Sequence, residues 1–229
     1  MNKLSVTMTR TEKLLGWIYY PLQLLVIPFA VTIVNILCGM PLTESWLNIV
    51  FFSLNFFAVA LIFPHFLIGN GKIALENIFR TLQSAVLGLG VYWLLSYVVQ
   101  LIIFTVDPGF FNVNDAYIDG MAHENFGIFA FCTVILVPIA EETLYRGLMF
   151  GQLYNRNRLA AYLISTLVFA LVHVIGYIGQ YSFMQLMLCV LQYLPAGLCL
   201  GWAYARADSI WASILIHIAI NQIGVYTMR

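Results

Sequence analysis

FGIFAFCTVILVPIAEETLYRGLMFGQ, residues 126–152, is apolar along almost its whole length but carries three charged residues near its centre. The stretch is long enough to cross a bilayer as a helix, which takes about 20 residues. At the centre of such a helix, Glu141, Glu142 and Arg146 would each cost roughly 2.5–3.5 kcal/mol. Charged residues at this depth indicate either a functional site or a buried structural ion pair.

The rest of the chain is of the same character, since 62% of the 229 residues are hydrophobic and only 9% are charged. Soluble domains carry about 25% charged residues. Seven apolar windows approach or exceed the length of a membrane span: 18–37, 46–68, 81–106, 126–152, 159–178, 183–205 and 210–226. We therefore predict an all-α, polytopic membrane bundle of about seven transmembrane helices. The short connections leave no room for a second domain, so we expect one domain over 1–229 with a motif-bearing core at about 126–226.

The formal net charge is zero and no dense basic cluster occurs, so nothing indicates a nucleic-acid partner. Basic residues lie in alternate connections: Lys3, Arg10, Lys13, Lys72, Arg80, Arg156, Arg158 and Arg206. The other connections hold the acidic residues Glu44, Asp107, Asp115, Asp119 and Glu124 and lack Lys and Arg up to the terminal Arg229. The positive-inside rule then predicts a cytoplasmic N-terminus. We interpret the long acidic connection at 107–127 as a solvated loop; the alternative is a cap that gathers substrate.

The charged residues of the fourth window are not equivalent. Glu142 and Arg146 are four residues apart and can pair on one helix face, whereas Glu141 has no partner at helical spacing. A buried carboxylate without a cation beside it is suited to accept a proton near neutral pH. This favours Glu141 as a general base, although all three residues could also form a purely structural polar cluster.

Two later windows contain further polar groups. The fifth carries FALVH with His173, and the seventh carries HIAIN, in which His217 and Asn221 lie one helical turn apart. Glu141 and His173 are about equally far from the turn at 155–158, so a helical hairpin would place them at similar depth. His217 and Asn221 can both donate hydrogen bonds to an oxyanion. For all three, hydrogen bonding between helices is the plainer alternative.

In this order, EETLYR, FALVH and HIAIN resemble the EExxxR, FxxxH and HxxxN motifs of the CAAX-protease and bacteriocin-processing family (CPBP, or Abi) of intramembrane proteases. The resemblance covers about 137–221. It implies that Glu141 and His173 activate the attacking water, and that His217 and Asn221 stabilise the tetrahedral oxyanion.

The resemblance also implies that Glu142, Arg146 and Phe169 support the site. The family includes eukaryotic prenyl-protein endopeptidases, but the compact chain is more similar to the bacterial branch, so we do not favour a prenylated CAAX substrate. Family members are often labelled metalloproteases, and Glu141, His173 and His217 would be a plausible zinc set. The HExxH motif is absent, however, and we favour a metal-independent mechanism because it also accounts for the asparagine.

Together with these patterns, the resemblance implies an intramembrane endopeptidase of a bacterial cytoplasmic membrane. Its partners would be the lipid bilayer and a membrane-bound peptide or protein, such as a pheromone, a bacteriocin precursor or a lipidated protein. We expect the site to open toward the cytoplasm, on the side of the basic turn at 155–158. Two alternatives remain: a non-proteolytic protein for bacteriocin self-immunity or sensor-kinase scaffolding, and a transporter with a Glu/His proton relay. The lack of internal repeats weighs against the transporter.

Overall fold

The computed structural model describes residues 3–39 and 42–227, so Arg229 lies outside the described part of the chain. Within these ranges the chain forms helices and no strands. The ten helices are α1 (Arg10–Leu25), α2 (Ile27–Leu37), α3 (Glu44–Ile62), α4 (Pro64–Glu76), α5 (Ile78–Val106), α6 (Val113–Ala122), α7 (Phe126–Tyr154), α8 (Arg158–Val172), α9 (Phe183–Ala207) and α10 (Trp211–Thr227). The predicted all-α membrane bundle is thereby confirmed.

Each of the seven apolar windows contains a helix, but not every helix is long enough to cross a membrane. By length and composition α3, α5, α7 and α9 qualify, and α1 with α2 forms a fifth, broken span bent by 53°. The 15 residues of α8 reach only about 22 Å. Within the described ranges, four or five spans are therefore long and apolar enough to cross a membrane, where seven were predicted. Hydropathy continues beyond the end of α8 into a 3₁₀ turn at Ile175–Tyr177, where the helix has already stopped.

The breaks between the first helices coincide with prolines. Pro28 lies in the first turn of α2, just after the bend at Val26, and Pro64 begins α4 directly after Phe63. Proline has no N–H to donate to the preceding turn, so it is tolerated at a helix start but interrupts a continuous helix. One long apolar window at 46–68 is consequently divided between α3 and α4.

Helix α7 is continuous but irregular, because Cys132–Leu136 and Thr143–Phe150 have π-helical hydrogen bonding on either side of its central segment. Wide turns of this kind are frequent at functional sites. They bracket Pro138, Glu141 and Glu142, so the acidic pair lies on the short α-helical segment between two π segments.

The helices α7, α8, α9 and α10 pack closely around this segment. Helices α8 and α9 approach closely at Gly197, where a Cβ atom would lie 2.6 Å from Cγ2 of Thr166 on α8. Only glycine leaves room for the two backbones to lie at this distance.

One end of the bundle gathers the termini of several helices. Leu4 N donates to Asn155 Oδ1 (3.0 Å), and Ser209 Oγ donates to the Asn70 carbonyl (2.8 Å). These bonds join the segment before α1, the end of α7, helix α4 and the α9–α10 turn. We call this the basic end, and its basic residues are Lys3, Arg10, Lys13, Lys72, Arg80, Arg156, Arg158 and Arg206.

The opposite end, which we call the α6 end, is formed by the connection predicted to be a solvated loop. That interpretation is wrong, because the connection contains a packed helix. Asn112 caps α6 by accepting hydrogen bonds from the N–H groups of Asn114 (2.9 Å) and Asp115 (3.2 Å). Val113 is buried in an apolar cluster with Leu186 and other residues, which holds α6 against α9.

Candidate active site

A cavity of about 380 Å³ lies among the helices, bordered by parts of α3 and of α5 to α10. Five of the residues singled out in the sequence line it: Glu141, Phe169, His173, His217 and Asn221. They come from three different helices, α7, α8 (with its C-cap His173) and α10. The structure therefore brings the three separated motifs to one space, with the remaining two residues directly behind it.

Those two residues, Glu142 and Arg146, are completely buried. Oε1 of Glu142 lies 3.2 Å from Nη1 of Arg146 and 2.9 Å from Nδ1 of His217. Because the cost of burying a carboxylate is offset only by well-placed partners, this double contact is central to the site. The pair with Arg146 was predicted from the i, i+4 spacing, but the contact with His217 was not. Spacing along one helix carries no information about a second helix.

Arg146 is held from two further sides. Its guanidinium carbon lies 4.2 Å from the ring centroid of Phe169, a distance at which a cation is attracted to the ring face. Its Nη2 also donates to the Gly197 carbonyl (3.4 Å). The phenylalanine of the second motif therefore contacts the arginine of the first.

His217 lies between the two glutamates. A carboxylate only accepts hydrogen bonds, so Nδ1 of His217 must carry the proton in its bond to Glu142. Nε2 lies 3.8 Å from Oε2 of Glu141, which is too far for a direct hydrogen bond. Oε2 of Glu141 receives no hydrogen bond from the described residues, and this side chain remains 22% exposed. The two adjacent glutamates thus differ, since Glu142 is fully buried with its Oε1 in contact with Arg146 and His217, whereas Glu141 is partly exposed and lines the cavity.

The ring of His173 is fixed both in its plane and in its protonation pattern. Its Nδ1 lies 2.7 Å from the carbonyl oxygen of Phe169, which can only accept, so Nδ1 is the donor. In the neutral ring Nε2 is then an acceptor, which is the tautomer that a general base requires. The ring packs between Phe169, with centroids 4.7 Å apart, and Tyr193, with centroids 4.4 Å apart.

Asn221 uses one of its donors within the protein. Its Nδ2 donates to the carbonyl of Thr133 (2.9 Å), which belongs to the first π segment of α7. A carboxamide carries two N–H groups, so one donor is left for a molecule in the cavity. The bond also fixes the amide orientation relative to α7.

A polar network from α6 and α9 completes the cavity wall. Asn114 Nδ2 donates to the Tyr193 hydroxyl (3.1 Å), which lies 3.1 Å from Asp115 Oδ1. Asn112 Nδ2 donates to Gln192 Oε1 (2.9 Å). Burial raises the pKa of Asp115, while the Tyr193 hydroxyl and the nearby His173 act in the opposite direction.

None of these five network residues was predicted to belong to the site. The run NVND at 112–115 does carry the signature of a helix N-cap, and reading it so would have placed a helix here. Nothing in the sequence distinguishes Gln192 and Tyr193 from other residues of their apolar window.

The cavity opens away from the side that the sequence suggested. Its lining runs from Glu141 in the middle of α7 to Asn114 and Asp115 on α6, and no described lining residue belongs to the turn at 155–158. It also reaches the outer surface of the bundle at Trp93 and Ile223, which are 48% and 40% exposed. The expected opening toward the basic turn is therefore wrong, because His173 is the C-cap of α8, at the far end from that turn.

The proposed zinc ligands do not fit a metal site in this arrangement. In the described ranges no three His, Cys, Asp or Glu side chains are grouped so that they could hold a metal ion. We therefore derive no step through a metal.

Comparison with known proteins gives one family match. Residues 123–223 match the family described as Type II CAAX prenyl endopeptidase Rce1-like. The matched segment contains all seven residues discussed at the outset, from Glu141 to Asn221.

Three curated bacterial proteins are similar over about two fifths of this chain. The UPF0177 protein YxdF of Lactococcus lactis is 32% identical over 90 residues, covering 39% of this chain and 44% of that protein. The putative membrane peptidase YdiL of Bacillus subtilis is 34% identical over 92 residues (40% and 33%). The membrane-embedded CAAX protease MroQ of Staphylococcus aureus is 29% identical over 97 residues (41% and 36%). The matched region thus spans less than half the length of each relative. No solved structure shows a significant match.

Proposed function

We propose that this chain is an intramembrane endopeptidase of the CAAX-protease and bacteriocin-processing family, because residues 123–223 match the Rce1-like family and the chain is similar to bacterial proteins named as a membrane peptidase and a CAAX protease. It would hydrolyse a peptide bond of a membrane-associated peptide or protein, in a bacterial cytoplasmic membrane and with a cytoplasmic N-terminus. We further propose that residues 1–229 act as one domain whose core is 126–226. The observation that carries the proposal is the shared cavity, where Glu141, His173, His217 and Asn221 meet.

The first chemical step is the attack of water on the scissile carbonyl carbon. The carboxylate of Glu141, which lines the cavity and remains 22% exposed, is the natural acceptor for the proton that the water loses. Nε2 of His173, the acceptor nitrogen of that ring, accepts a hydrogen bond from the same water and aligns it. Attack forms a new C–O bond and moves the carbonyl π electrons onto oxygen, giving a tetrahedral oxyanion.

The oxyanion needs donors that are already in place. Asn221 has one free N–H, since the other is bound to Thr133. His217 can donate from Nε2 only when it carries a second proton, because Nδ1 already donates to Glu142. The bonds of Glu142 to His217 and to Arg146 hold the imidazole in position.

Collapse of the intermediate breaks the C–N bond. The electron pair returns to the carbonyl, and the proton held by Glu141 passes to the leaving nitrogen, so that an amine and a carboxylic acid result. Glu141 is then a carboxylate again. The single proton that the attacking water loses is therefore carried by Glu141 to the leaving nitrogen.

The test compares membrane and secreted peptides by mass spectrometry in cells with wild type, Glu141→Gln or no copy. Glutamine nearly keeps the shape of glutamate but cannot act as the base. Glu76→Gln, at an exposed position of α4 outside the cavity, is the matched control. We expect a fragment with wild type and with the control, and an uncut precursor with Glu141→Gln. If Glu141→Gln restores the host phenotype fully and changes no peptide, the protein acts as a non-proteolytic partner.

A further inference from the structure

The two ends of the bundle carry opposite charge. The basic end holds the eight Lys and Arg residues named above, and its elements are joined by direct contacts. Arg206 Nη2 donates to Gln83 Oε1 (2.9 Å), linking the end of α9 to the start of α5. The Ser5 backbone N–H donates to Asp208 Oδ1 (2.8 Å), linking the N-terminal segment to the α9–α10 turn. These contacts put basic residues from separate connections on one side of the molecule.

The α6 end has none of these cations. Within 3–39 and 42–227, the connections there contain five carboxylates and neither Lys nor Arg: Glu44, Asp107, Asp115, Asp119 and Glu124. Its elements also touch directly, since Asn48 on α3 contacts Met121 on α6, and Asn112 contacts Gln192 on α9. The difference in charge between the two ends is thus a property of the folded molecule as well as of the sequence.

The positive-inside rule assigns the basic side of a bacterial membrane protein to the cytoplasm. The cavity lies nearer the other end, the α6 end, and reaches the lateral surface of the bundle at Trp93 and Ile223. From these two observations we infer that the site takes its substrate from the extracytoplasmic side of the membrane. The scissile bond then belongs to a segment exposed at, or embedded in, the outer leaflet, as in an exported peptide or the outer part of a membrane protein.

The lining of the cavity agrees with a segment that enters from this side. Asn114 and Asp115 are half-buried in the cavity wall on the α6 side and offer polar groups to a peptide backbone. Trp93 and Ile223 form an apolar opening on the lateral surface, through which a lipid-embedded segment can approach. That a substrate enters the cavity rests on the proposed function. The side of the membrane that the cavity faces does not depend on that function.

The orientation is tested by labelling single cysteines in intact cells with a membrane-impermeant methanethiosulfonate reagent. Cys38→Ser removes the exposed native thiol, while Cys132, Cys189 and Cys199 are buried. In this background Gly120→Cys, on α6 with open space around its Cβ, reports the α6 end. Glu76→Cys, exposed on α4, reports the basic end. We expect intact cells to label Gly120→Cys only, and Glu76→Cys to react after permeabilisation. The reverse pattern would overturn the inference.

Access to the cavity is tested with a third cysteine. Gly224 lines the cavity on α10 and has open space where a Cβ atom would lie, so Gly224→Cys should fold normally. A bulky impermeant thiol reagent added outside intact cells should abolish most of the cleavage by Gly224→Cys but leave that by Gly120→Cys. Undiminished cleavage by fully modified Gly224→Cys would contradict entry from this side. If wild type itself yields no product, the proposed function fails, whereas the labelling pattern still reports the orientation.

Discussion

Tyr193 stacks on His173, with ring centroids 4.4 Å apart and planes inclined by 29°. Phe169 packs against the same imidazole from a second direction, at 4.7 Å. The tyrosine hydroxyl is itself held by Asn114 and Asp115 of α6. The position of a candidate catalytic ring therefore depends on a short helix outside the three motifs.

Removing the stacked ring should impair catalysis more than substrate binding. We expect Tyr193→Leu to lower kcat by up to about a hundredfold, since small misplacements of a catalytic group have effects of this size. Tyr193→Phe keeps the ring and loses only the hydroxyl contacts, so its effect should be smaller. Tyr97→Phe, at an exposed position of α5, is the control. Measured turnover of the native substrate that is equal in Tyr193→Leu and wild type would refute this role.

Neutralising Glu142 should destabilise the fold. Glu142→Gln leaves the fully buried Arg146 without its carboxylate partner, and breaking a buried ion pair typically costs about 3–5 kcal/mol. Glu141→Gln makes the same chemical change at the partly exposed neighbour and should cost much less. Thermal unfolding of the purified proteins in detergent measures the difference. Equal midpoints for both variants would show that the ion pair does not stabilise the fold.

The contact between α8 and α9 should not tolerate a larger residue. In Gly197→Ala the new Cβ would lie 2.6 Å from Cγ2 and 3.0 Å from Cα of Thr166, and overpacking of this kind typically costs about 1–3 kcal/mol. Gly90→Ala, in α5 with nothing near its Cβ, should be neutral or slightly stabilising. The measurement is the thermal unfolding midpoint of each variant. An unchanged midpoint for Gly197→Ala would mean that α8 and α9 can move apart without loss of stability.

Removal of metal ions should leave cleavage unchanged. The proposed mechanism uses Glu141 as the base, and within the described ranges no three potential ligands are grouped so that they could hold a metal ion. We expect protein treated with a chelator to retain its turnover and purified protein to contain no stoichiometric zinc by elemental analysis. Loss of turnover with chelator, restored by added zinc but not by magnesium, would show that the mechanism needs a metal.

Much of the fold follows from local sequence, and the exceptions have physical causes. Length and hydropathy predict α3, α5, α7 and α9 well, because a long apolar run needs no partner to be recognised. They overestimate α8, since hydropathy does not detect where helical hydrogen bonding stops at His173. They miss α6, whose polar residues suggest a loop although Asn112 caps a helix and Val113 is buried.

In the candidate site, too, some features follow from local sequence and others depend on how the helices pack. Spacing within one helix predicts the Glu142–Arg146 pair, and motif order suggests that Glu141, His173 and His217 belong together. The contact of His217 with Glu142 depends on how α7 and α10 pack, which no local pattern encodes. The stacking of Tyr193 on His173 likewise depends on tertiary packing, and tyrosine is common in apolar helices.

The shared oxygen of Glu142 has a consequence for how such proteins diverge. A single carboxylate oxygen contacts both Arg146, four residues away, and His217, seventy-five residues away. Loss of Glu142 leaves Arg146 buried without a counter-charge, loss of Arg146 does the same to Glu142, and loss of His217 removes a hydrogen-bond donor from that carboxylate, so no single substitution is neutral. Among relatives, positions 142, 146 and 217 should therefore be inherited as a unit: all three kept, or all three replaced together once the chemistry has been abandoned.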